Sequence, residues 1–287
     1  MVFSINQVVS TVCRSLYKER WSHNRVYGDD FFVEEMLDGN VGFRFKNLSL
    51  SFPHLATLKG VFTGKEANLI LSGPSIGAIS SPALLGSDFC FTVKLSPKFC
   101  IQHGLPIDAY LVDDPVRLME HLPEFIEFSS RSRYVFLSYR SVCVFMKNGV
   151  DLSRFPIYVF DYHYFPYRKL RPKTIAPYFA KEAKDGLCKR GTIAYMALQI
   201  LYCMGFKEVA IFGLDLSSEG HFYKEDSPAP MRFQQKWEEG IEAPFRLVKK
   251  ICDEESWRVV NCSSVSLLSG DILPKFCADD YLSEWKI

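Results

Sequence analysis

The chain has 287 residues, of which 48% are hydrophobic and 23% are charged. This composition differs strongly from that of disordered proteins, and the length suffices for one large or two small domains. The 34 basic and 33 acidic residues give a formal net charge of +1, which excludes the strongly basic character of a dedicated nucleic-acid-binding protein.

Nine cysteines are spread along the chain without a CxxC pair or zinc-finger spacing, so we expect reduced thiols, most of them in the core, as in a cytoplasmic protein. The N-terminus lacks the basic stretch, apolar run and cleavage site of a signal peptide. The most apolar helix candidate, Ile193–Phe206, contains Gln199 and is shorter than the roughly 20 residues of a membrane span. The sequence therefore predicts a soluble or peripheral protein.

The first part of the chain, residues 1–66, is predicted to be an N-terminal extension of helices and hairpins. Ser4 and Gln7 make a capping box, and apolar residues at helical spacing predict an amphipathic helix over residues 4–20. From there to Gly64, glycines and prolines interrupt short aromatic runs, so we expect hairpins or loops.

From Ala67 onward, short apolar runs bounded by turn residues are typical of strands buried on both faces of a sheet. Seven strands are predicted, at Asn68–Leu71, Phe89–Val93, Ala109–Val112, Tyr134–Leu137, Ile157–Phe160, Glu208–Phe212 and Arg258–Asn261. Three helices are predicted, at Pro115–Phe128, Thr192–Met204 and about Phe233–Asp253. Alternating strands and helices predict an α/β domain over residues 67–287, with a mainly parallel, Rossmann-like sheet flanked by helices.

Ligands of such sheets bind outside the carboxyl ends of the strands, so the residues that follow each strand are the candidate site. After the first strand of the domain, Ser72-Gly73-Pro74-Ser75 makes a small turn whose amides and two hydroxyls suit a phosphate or a ribose. The turn lacks the glycine and lysine spacing of a Walker loop or a dinucleotide fingerprint. An ordinary strand-to-helix turn is the alternative.

A second candidate precedes the apolar helix, where Lys189 and Arg190 are followed by Gly191 and Thr192. Thr192 is the predicted N-cap of that helix. Free amides at a helix N-terminus, the helix dipole and basic side chains all favour an anion. The alternative is a capped helix with solvated basic residues.

A third candidate follows the strand Glu208–Phe212. An aspartate at the end of a buried strand, such as Asp215, needs hydrogen bonds or a ligand, so it is either a structural residue that ties down its loop or a functional one. Ser217, His221 and Tyr223 follow and can line a pocket. None of the six histidines has the spacing of a metal site, and His221 is singled out by its place after this strand.

One further segment, Tyr158–Lys173, combines His163 and four basic residues with several aromatic ones. It is a candidate for contact with an acidic acceptor or with lipid head groups. A solvated loop is the alternative.

Taken in chain order, the three strand ends resemble those of bacterial CMP-sugar glycosyltransferases of the sialyltransferase-like group. The motifs are Ser72-Gly73-Pro74-Ser75, Arg190-Gly191-Thr192 with its helix, and Gly213-Leu214-Asp215-Leu216 followed by Tyr223. Phe128–Tyr134, and Thr192–Tyr195 followed by Gln199-Ile200, resemble in particular the lipopolysaccharide-core Kdo transferases of the WaaZ type, where Kdo is 3-deoxy-manno-octulosonic acid. The resemblance extends from about Leu69 to Phe276.

The resemblance implies a GT-A-variant, nucleotide-sugar-binding domain with a lid around residues 150–188. It implies a cytoplasmic enzyme, with peripheral contact to the inner membrane, that transfers Kdo with inversion from CMP-Kdo to the lipopolysaccharide inner core. The implied partners are a CMP-activated sugar donor and a glycolipid acceptor, without an obligatory metal or other cofactor. A sialyltransferase acting on a surface oligosaccharide, or a non-catalytic nucleotide- or glycan-binding relative, is the alternative.

The resemblance also implies roles for individual residues. The CMP-binding set carried over by position is Ser72, Gly73, Pro74, Ser75, Asp114, Arg190, Gly191, Thr192 and Tyr223, with the Tyr223 hydroxyl donating to the phosphate. Two positions differ from the family pattern, because Lys94 replaces an Asn and Ser217 replaces a phosphate-binding Tyr.

The general base does not carry over, because the family's catalytic His follows the Tyr223 position and no His follows Tyr223 in this chain. Departure of CMP through an oxocarbenium-like transition state requires charge stabilisation at the phosphate and a base for the acceptor hydroxyl. The candidates for the first task are Arg190, Lys94 and Tyr223; those for the second are His221, Asp215 and Asp114.

Overall fold

The computed structural model of the chain describes residues 31–114, 119–162, 178–217, 220–223 and 237–285. Its first three strands, β1 (Phe31–Glu35), β2 (Asn40–Phe45) and β3 (Leu48–Pro53), form an antiparallel meander. The hairpins expected in this part of the chain are confirmed, whereas the helix predicted over residues 4–20 lies outside the described residues.

A parallel seven-stranded sheet is the centre of the fold. Its strands are β4 (Glu66–Ile70), β5 (Phe89–Val93), β6 (Ile107–Val112), β7 (Ser132–Ser138), β8 (Ile157–Phe160), β9 (Glu208–Phe212) and β10 (Arg258–Asn261). They are arranged in the order β10-β9-β4-β5-β6-β7-β8, and each neighbouring pair is parallel. The predicted α/β class and all seven predicted strands are confirmed, four of them with the same bounds.

Six α-helices are seen in the described part of the chain: α1 (Pro97–Gln102), α2 (Leu122–Arg131), α3 (Tyr139–Lys147), α4 (Ile193–Met204), α5 (Ala243–Glu255) and α6 (Ala278–Trp285). The helix predicted from Thr192 is α4. The one predicted to end at Asp253 is α5, which a π-helical turn, Glu238–Glu242, precedes. Of the helix predicted over Pro115–Phe128, residues 115–118 lie outside the described part, Met119 and Glu120 are helical, and α2 extends from Leu122 to Arg131.

Alternate residues of the strands face two separate apolar layers, as the period of a strand requires. On one face Leu69 and Ile211 pack with α4 and α5. On the other, Ile70 and Ala210 pack with α2 and α3. Every residue of β9 is buried, which is why its sequence is a nearly continuous apolar run.

The β1–β3 meander packs on the second of these layers. The side chains of Phe31, Val41, Phe43 and Phe52 are buried there, and Phe43 meets Tyr139 of α3 edge-on with 5.5 Å between the ring centroids. The proposed division at residue 66 stays a prediction. The range 150–188 given for a lid includes β8, an edge strand of the sheet, while residues 163–177 lie outside the described part.

Strand order reverses between β4 and β9. From β4 the chain proceeds outward to β8 in one direction, and it then returns to place β9 on the other side of β4. In open parallel sheets such a switch point leaves a crevice at the carboxyl ends of the two strands, where ligands bind. No helix within the described residues is long and apolar enough to cross a membrane. The eight cysteines that the structure describes are free thiols.

Candidate functional site

A cavity of about 480 Å³ lies at this switch point, a volume in the range of small-molecule sites. Ten residues predicted from the sequence line it: Ser72, Gly73, Lys94, Asp114, Arg190, Gly191, Thr192, Asp215, Ser217 and His221. Pro74, Ser75 and Tyr223 are not among its lining residues. The fold thus brings the three predicted strand ends together.

The turn after β4 is pressed against the loop after β9. Gly73 N–H donates to the Gly213 carbonyl at 3.0 Å, and a Cβ on Gly73 would lie 2.4 Å from that oxygen. Ser75 N–H donates to Asp215 Oδ2 at 2.7 Å. Both amides thus donate to protein acceptors, and contact between the Gly73-Pro74-Ser75 turn and a phosphate stays a prediction.

The Asp215 carboxylate joins three loops at the switch point. Its side chain is buried, and besides the Ser75 amide it accepts hydrogen bonds from the hydroxyls of Ser75 and Ser263. These donors follow β4 and β10, whereas Asp215 follows β9. Three hydrogen bonds satisfy most of the acceptor capacity of a carboxylate, so the contacts match those of a residue that ties down its loop.

Two residues at the cavity have left-handed backbone conformations that non-glycine residues rarely adopt. Lys94, directly after β5, has φ 51°, and its N–H donates to Leu111 O at 3.2 Å. Leu216, directly after Asp215, has φ 57°. Such conformations cost about 1–2 kcal/mol and persist where the surroundings impose them, typically at functional sites.

The N-terminus of α4 opens into the cavity. Thr192 occupies the N-cap position with extended backbone angles, but its side chain makes no capping hydrogen bond. Its Oγ1 is buried and has no hydrogen-bond partner among the described residues. The predicted position is confirmed, while the side-chain cap is not formed, so no Thr192 hydroxyl competes with a ligand for the first-turn amides.

Two cations beside this helix differ in their partners. Lys189 Nζ lies 2.9 Å from Asp113 Oδ2. Arg190 is half-buried and forms no ion pair with any residue that the structure describes. Asp113 also accepts a hydrogen bond from the Tyr162 hydroxyl. Sequence reasoning missed Asp113 and Tyr162 as site residues, although Asp113 stands directly after a predicted strand.

His221 reaches the cavity from the segment that follows β9. Its Nδ1 lies 3.0 Å from Ser72 Oγ, and Phe222 N–H donates to Ser72 O at 3.0 Å. The imidazole stacks on the ring of Tyr223, with 5.0 Å between centroids and 16° between planes. Tyr223 in turn lies under Lys98 Nζ, 5.6 Å from the ring centroid. Tyr223 therefore supports His221 from behind the cavity lining.

The described residues contain no group of three or more His, Cys, Asp or Glu side chains that could hold a metal ion. Arg190, Lys94 and the amides at the N-terminus of α4 lie at the cavity and can meet negative charge there.

Comparison with known proteins gives no family model and no curated protein that matches. Among solved structures, the chain is similar to the MAf glycosyltransferase of Magnetospirillum magneticum AMB-1, with 15% identity and a TM-score of 0.43 over 78% of this chain and 37% of that one. It is also similar to the sialyltransferase CstII of Campylobacter jejuni in complex with CMP-3FNeuAc, with 14% identity and a TM-score of 0.44. That match covers 73% of this chain and 85% of CstII. The chain thus spans little more than a third of the length of the first of these proteins.

Proposed function

We propose that this chain is a glycosyltransferase that transfers Kdo, with inversion, from CMP-Kdo to the inner core of lipopolysaccharide. The observation that carries the proposal is the switch-point cavity, which contains an arginine without an acidic partner in the described chain, a helix N-terminus without a side-chain cap, and a histidine. The resemblance of the three strand-end motifs to CMP-sugar glycosyltransferases supports it.

The anionic end of the donor would be held at the N-terminus of α4. Charge accumulates on the phosphate as CMP departs, and the Arg190 guanidinium and the first-turn amides are placed to stabilise it there. Lys94 adds a further cation to the cavity lining. Gly191, Thr192, Ser72 and Ser217 would contact the rest of the nucleotide, and Asp114 the donor sugar or ribose.

His221 is the proposed general base. For Nε2 to accept a proton, Nδ1 must carry the hydrogen and donate it to Ser72 Oγ, which lies 3.0 Å away. Ser72 would therefore select the tautomer of His221. Asp215 is assigned a positioning role in place of the candidate base, because three donors already occupy its oxygens.

The reaction can then be written in balanced form. The acceptor hydroxyl oxygen forms a bond to the anomeric carbon of the donor sugar while the bond from that carbon to the phosphate oxygen breaks. The electron pair of the broken bond leaves on CMP, where Arg190 and the α4 amides stabilise it. The hydroxyl proton passes to His221 Nε2.

The identity of the sugar rests on the resemblance alone. Residues Phe128–Tyr134, which carry the likeness to Kdo transferases, form the end of α2 and the start of β7, and none of them lines the cavity. A glycolipid acceptor and peripheral contact with the inner membrane belong to the same proposal. The alternative is transfer of sialic acid from CMP-sialic acid. An assay that compares CMP-Kdo with CMP-sialic acid as donor distinguishes the two.

The test is binding of CMP to the purified chain, measured by calorimetry and by thermal shift. A ligand that binds only the folded state raises stability by about 2.7 kcal/mol at 100 times its Kd, so a shift of the melting curve is expected. Arg190→Met should weaken binding, whereas Arg131→Met, on the surface of α2, should not. Absence of binding at millimolar CMP would contradict the proposal.

A further inference from the structure

We propose that Asp113, Tyr162 and Lys189 form a positioning cluster that holds Arg190 in the cavity, and that Lys189 does not itself bind the donor. This inference rests on the proposed function, because it assigns the roles of two adjacent cations at the same site.

Both oxygens of the Asp113 carboxylate have partners inside the cluster. Oδ2 lies 2.9 Å from Lys189 Nζ, and Oδ1 accepts from the Tyr162 hydroxyl. Lys189 Nζ also lies 5.2 Å from the centroid of the Tyr162 ring. Asp113 is only 9% exposed, so the carboxylate side of this ion pair is shielded from solvent, whereas the Lys189 side chain is 51% exposed.

The two adjacent cations, Lys189 and Arg190, differ in the charge that they can offer to a ligand. Lys189 and Asp113 are paired with each other, so together they contribute little net charge to the cavity. Arg190 has no ion-pair partner in the described part of the chain, so it is the cation of this adjacent pair that remains for an anionic ligand. A guanidinium also matches a phosphate better than an ammonium group, because it donates two parallel hydrogen bonds.

The residues around Arg190 are held by contacts at several points. Leu187 N–H donates to Asp161 O at 2.8 Å, which attaches the segment to the end of β8. The buried amide of Gln199 on α4 accepts from Cys188 N–H at 2.9 Å and donates to Cys188 O at 3.1 Å. The Lys189–Asp113 pair adds an attachment to the end of β6. The backbone that carries the Arg190 side chain is therefore held in place by these contacts.

Gly191, the residue after Arg190, packs closely against the π-helical turn. It has φ 63°, and a Cβ there would lie 2.2 Å from Gly240 O. Residues 187–191 are therefore attached to the residues that follow β6 and β8, to α4 and to the π-helical turn. Preorganisation of this kind lowers the entropy lost when an anion is bound.

The experiment is a double-mutant cycle with Asp113→Asn, Lys189→Met and the two combined, with Lys189→Arg as the conservative variant. Two readouts are measured: amide hydrogen exchange over residues 187–192 in the free protein, and the Kd for CMP. Lys181→Met is the matched control, because Lys181 is an exposed lysine paired with Glu255 away from the cavity.

The proposal predicts that each single variant speeds exchange in residues 187–192 and weakens CMP binding about three- to ten-fold. It also predicts that the double variant exchanges no faster, and binds CMP no more weakly, than the more impaired of the two single variants. Lys189→Arg should keep both the exchange rate and the Kd for CMP close to their wild-type values. If Lys189 instead bound the anion directly, Lys189→Met would weaken CMP binding while Asp113→Asn left it unchanged or tightened it. That result, or unchanged exchange in all variants, would overturn the proposal.

The two readouts separate this inference from the function on which it rests. If wild-type protein fails to bind CMP, the proposed function fails, whereas the exchange measurement still decides whether the cluster orders residues 187–192. If CMP binds and the cycle shows independent effects of Asp113 and Lys189, the function stands and the positioning role is wrong.

Discussion

Ser72 Oγ lies 3.0 Å from His221 Nδ1, although the two residues are 149 positions apart in the chain. The contact joins the end of β4 to the segment after β9, across the point where strand order reverses. Under the proposed mechanism, Nε2 is the nitrogen through which His221 accepts the proton of the acceptor hydroxyl.

Replacement of His221 by Ala should lower the kcat for sugar transfer at least about 100-fold, because a positioned base contributes roughly 10²–10⁴-fold. The Kd for CMP should change less than about three-fold, because the proposed phosphate site lies at Arg190 and α4. Steady-state kinetics and calorimetry measure the two effects. Near-normal transfer by this variant would remove His221 from the mechanism.

Replacement of Ser72 by Ala should lower kcat less, by about ten-fold, because it removes the acceptor that selects the His221 tautomer and leaves the imidazole in place. Ser217→Ala, which also changes a serine of the cavity lining, is the comparison. A loss of transfer for Ser72→Ala equal to that of Ser217→Ala would argue against the tautomer role.

Replacement of Gly73 by Ala should destabilise the fold by about 1–3 kcal/mol, because the added Cβ would lie 2.4 Å from Gly213 O and 2.6 Å from Asp215 Oδ2. Gly77→Ala is a close control in the next turn, since a Cβ at Gly77 meets no atom within 4 Å. Urea denaturation compares the two variants. Equal stability of both would show that the loops do not approach as closely as described.

The stability of the fold should depend on pH through His54. Burial lowers the pKa of this imidazole below its usual 6.5, partly opposed by the carboxylates of Glu35 and Asp161, and Nδ1 accepts a hydrogen bond from Ala56 N–H. The unfolded chain therefore binds a proton before the folded one does. The contribution of His54 is fully present above pH 6.5 and is lost as the pH falls from there through the folded-state pKa.

Denaturation midpoints between about pH 7.5 and pH 5.5 measure this effect, and His54→Gln, which keeps an acceptor but cannot titrate, should flatten the curve in that window. A curve of the same slope in the variant would assign the pH dependence to other groups.

Much of the sheet could be predicted from the sequence, because strands that are buried on both faces have nearly continuous apolar sequences. Such runs are recognised from neighbouring residues alone. The sequence pattern does not predict helix α3, because the helix begins immediately after β7 and the apolar residues pass from a period of two to a helical period without a loop. The one local signal is Ser138, whose hydroxyl accepts from Ser141 N–H as a helix cap.

The site was predictable only in part. Residues next to strand ends could be named, since every parallel strand ends at the same edge of the sheet. The pairing of these polar groups with one another could not be predicted, because the partners are distant in sequence. Tyr162 reaches Asp113 over 49 positions and Ser75 reaches Asp215 over 140. The sequence alone therefore does not distinguish a structural from a functional Asp215.

The most direct test of the proposed function is to incubate the full chain with CMP-Kdo and a lipopolysaccharide inner-core acceptor, with CMP-sialic acid as the parallel donor. CMP release and the acceptor mass are followed together. We expect CMP release from CMP-Kdo to match the gain of one Kdo residue on the acceptor, and both to be lost in the His221→Ala and Arg190→Met variants. Transfer from neither donor, by a wild-type protein whose folding is verified, would contradict the account.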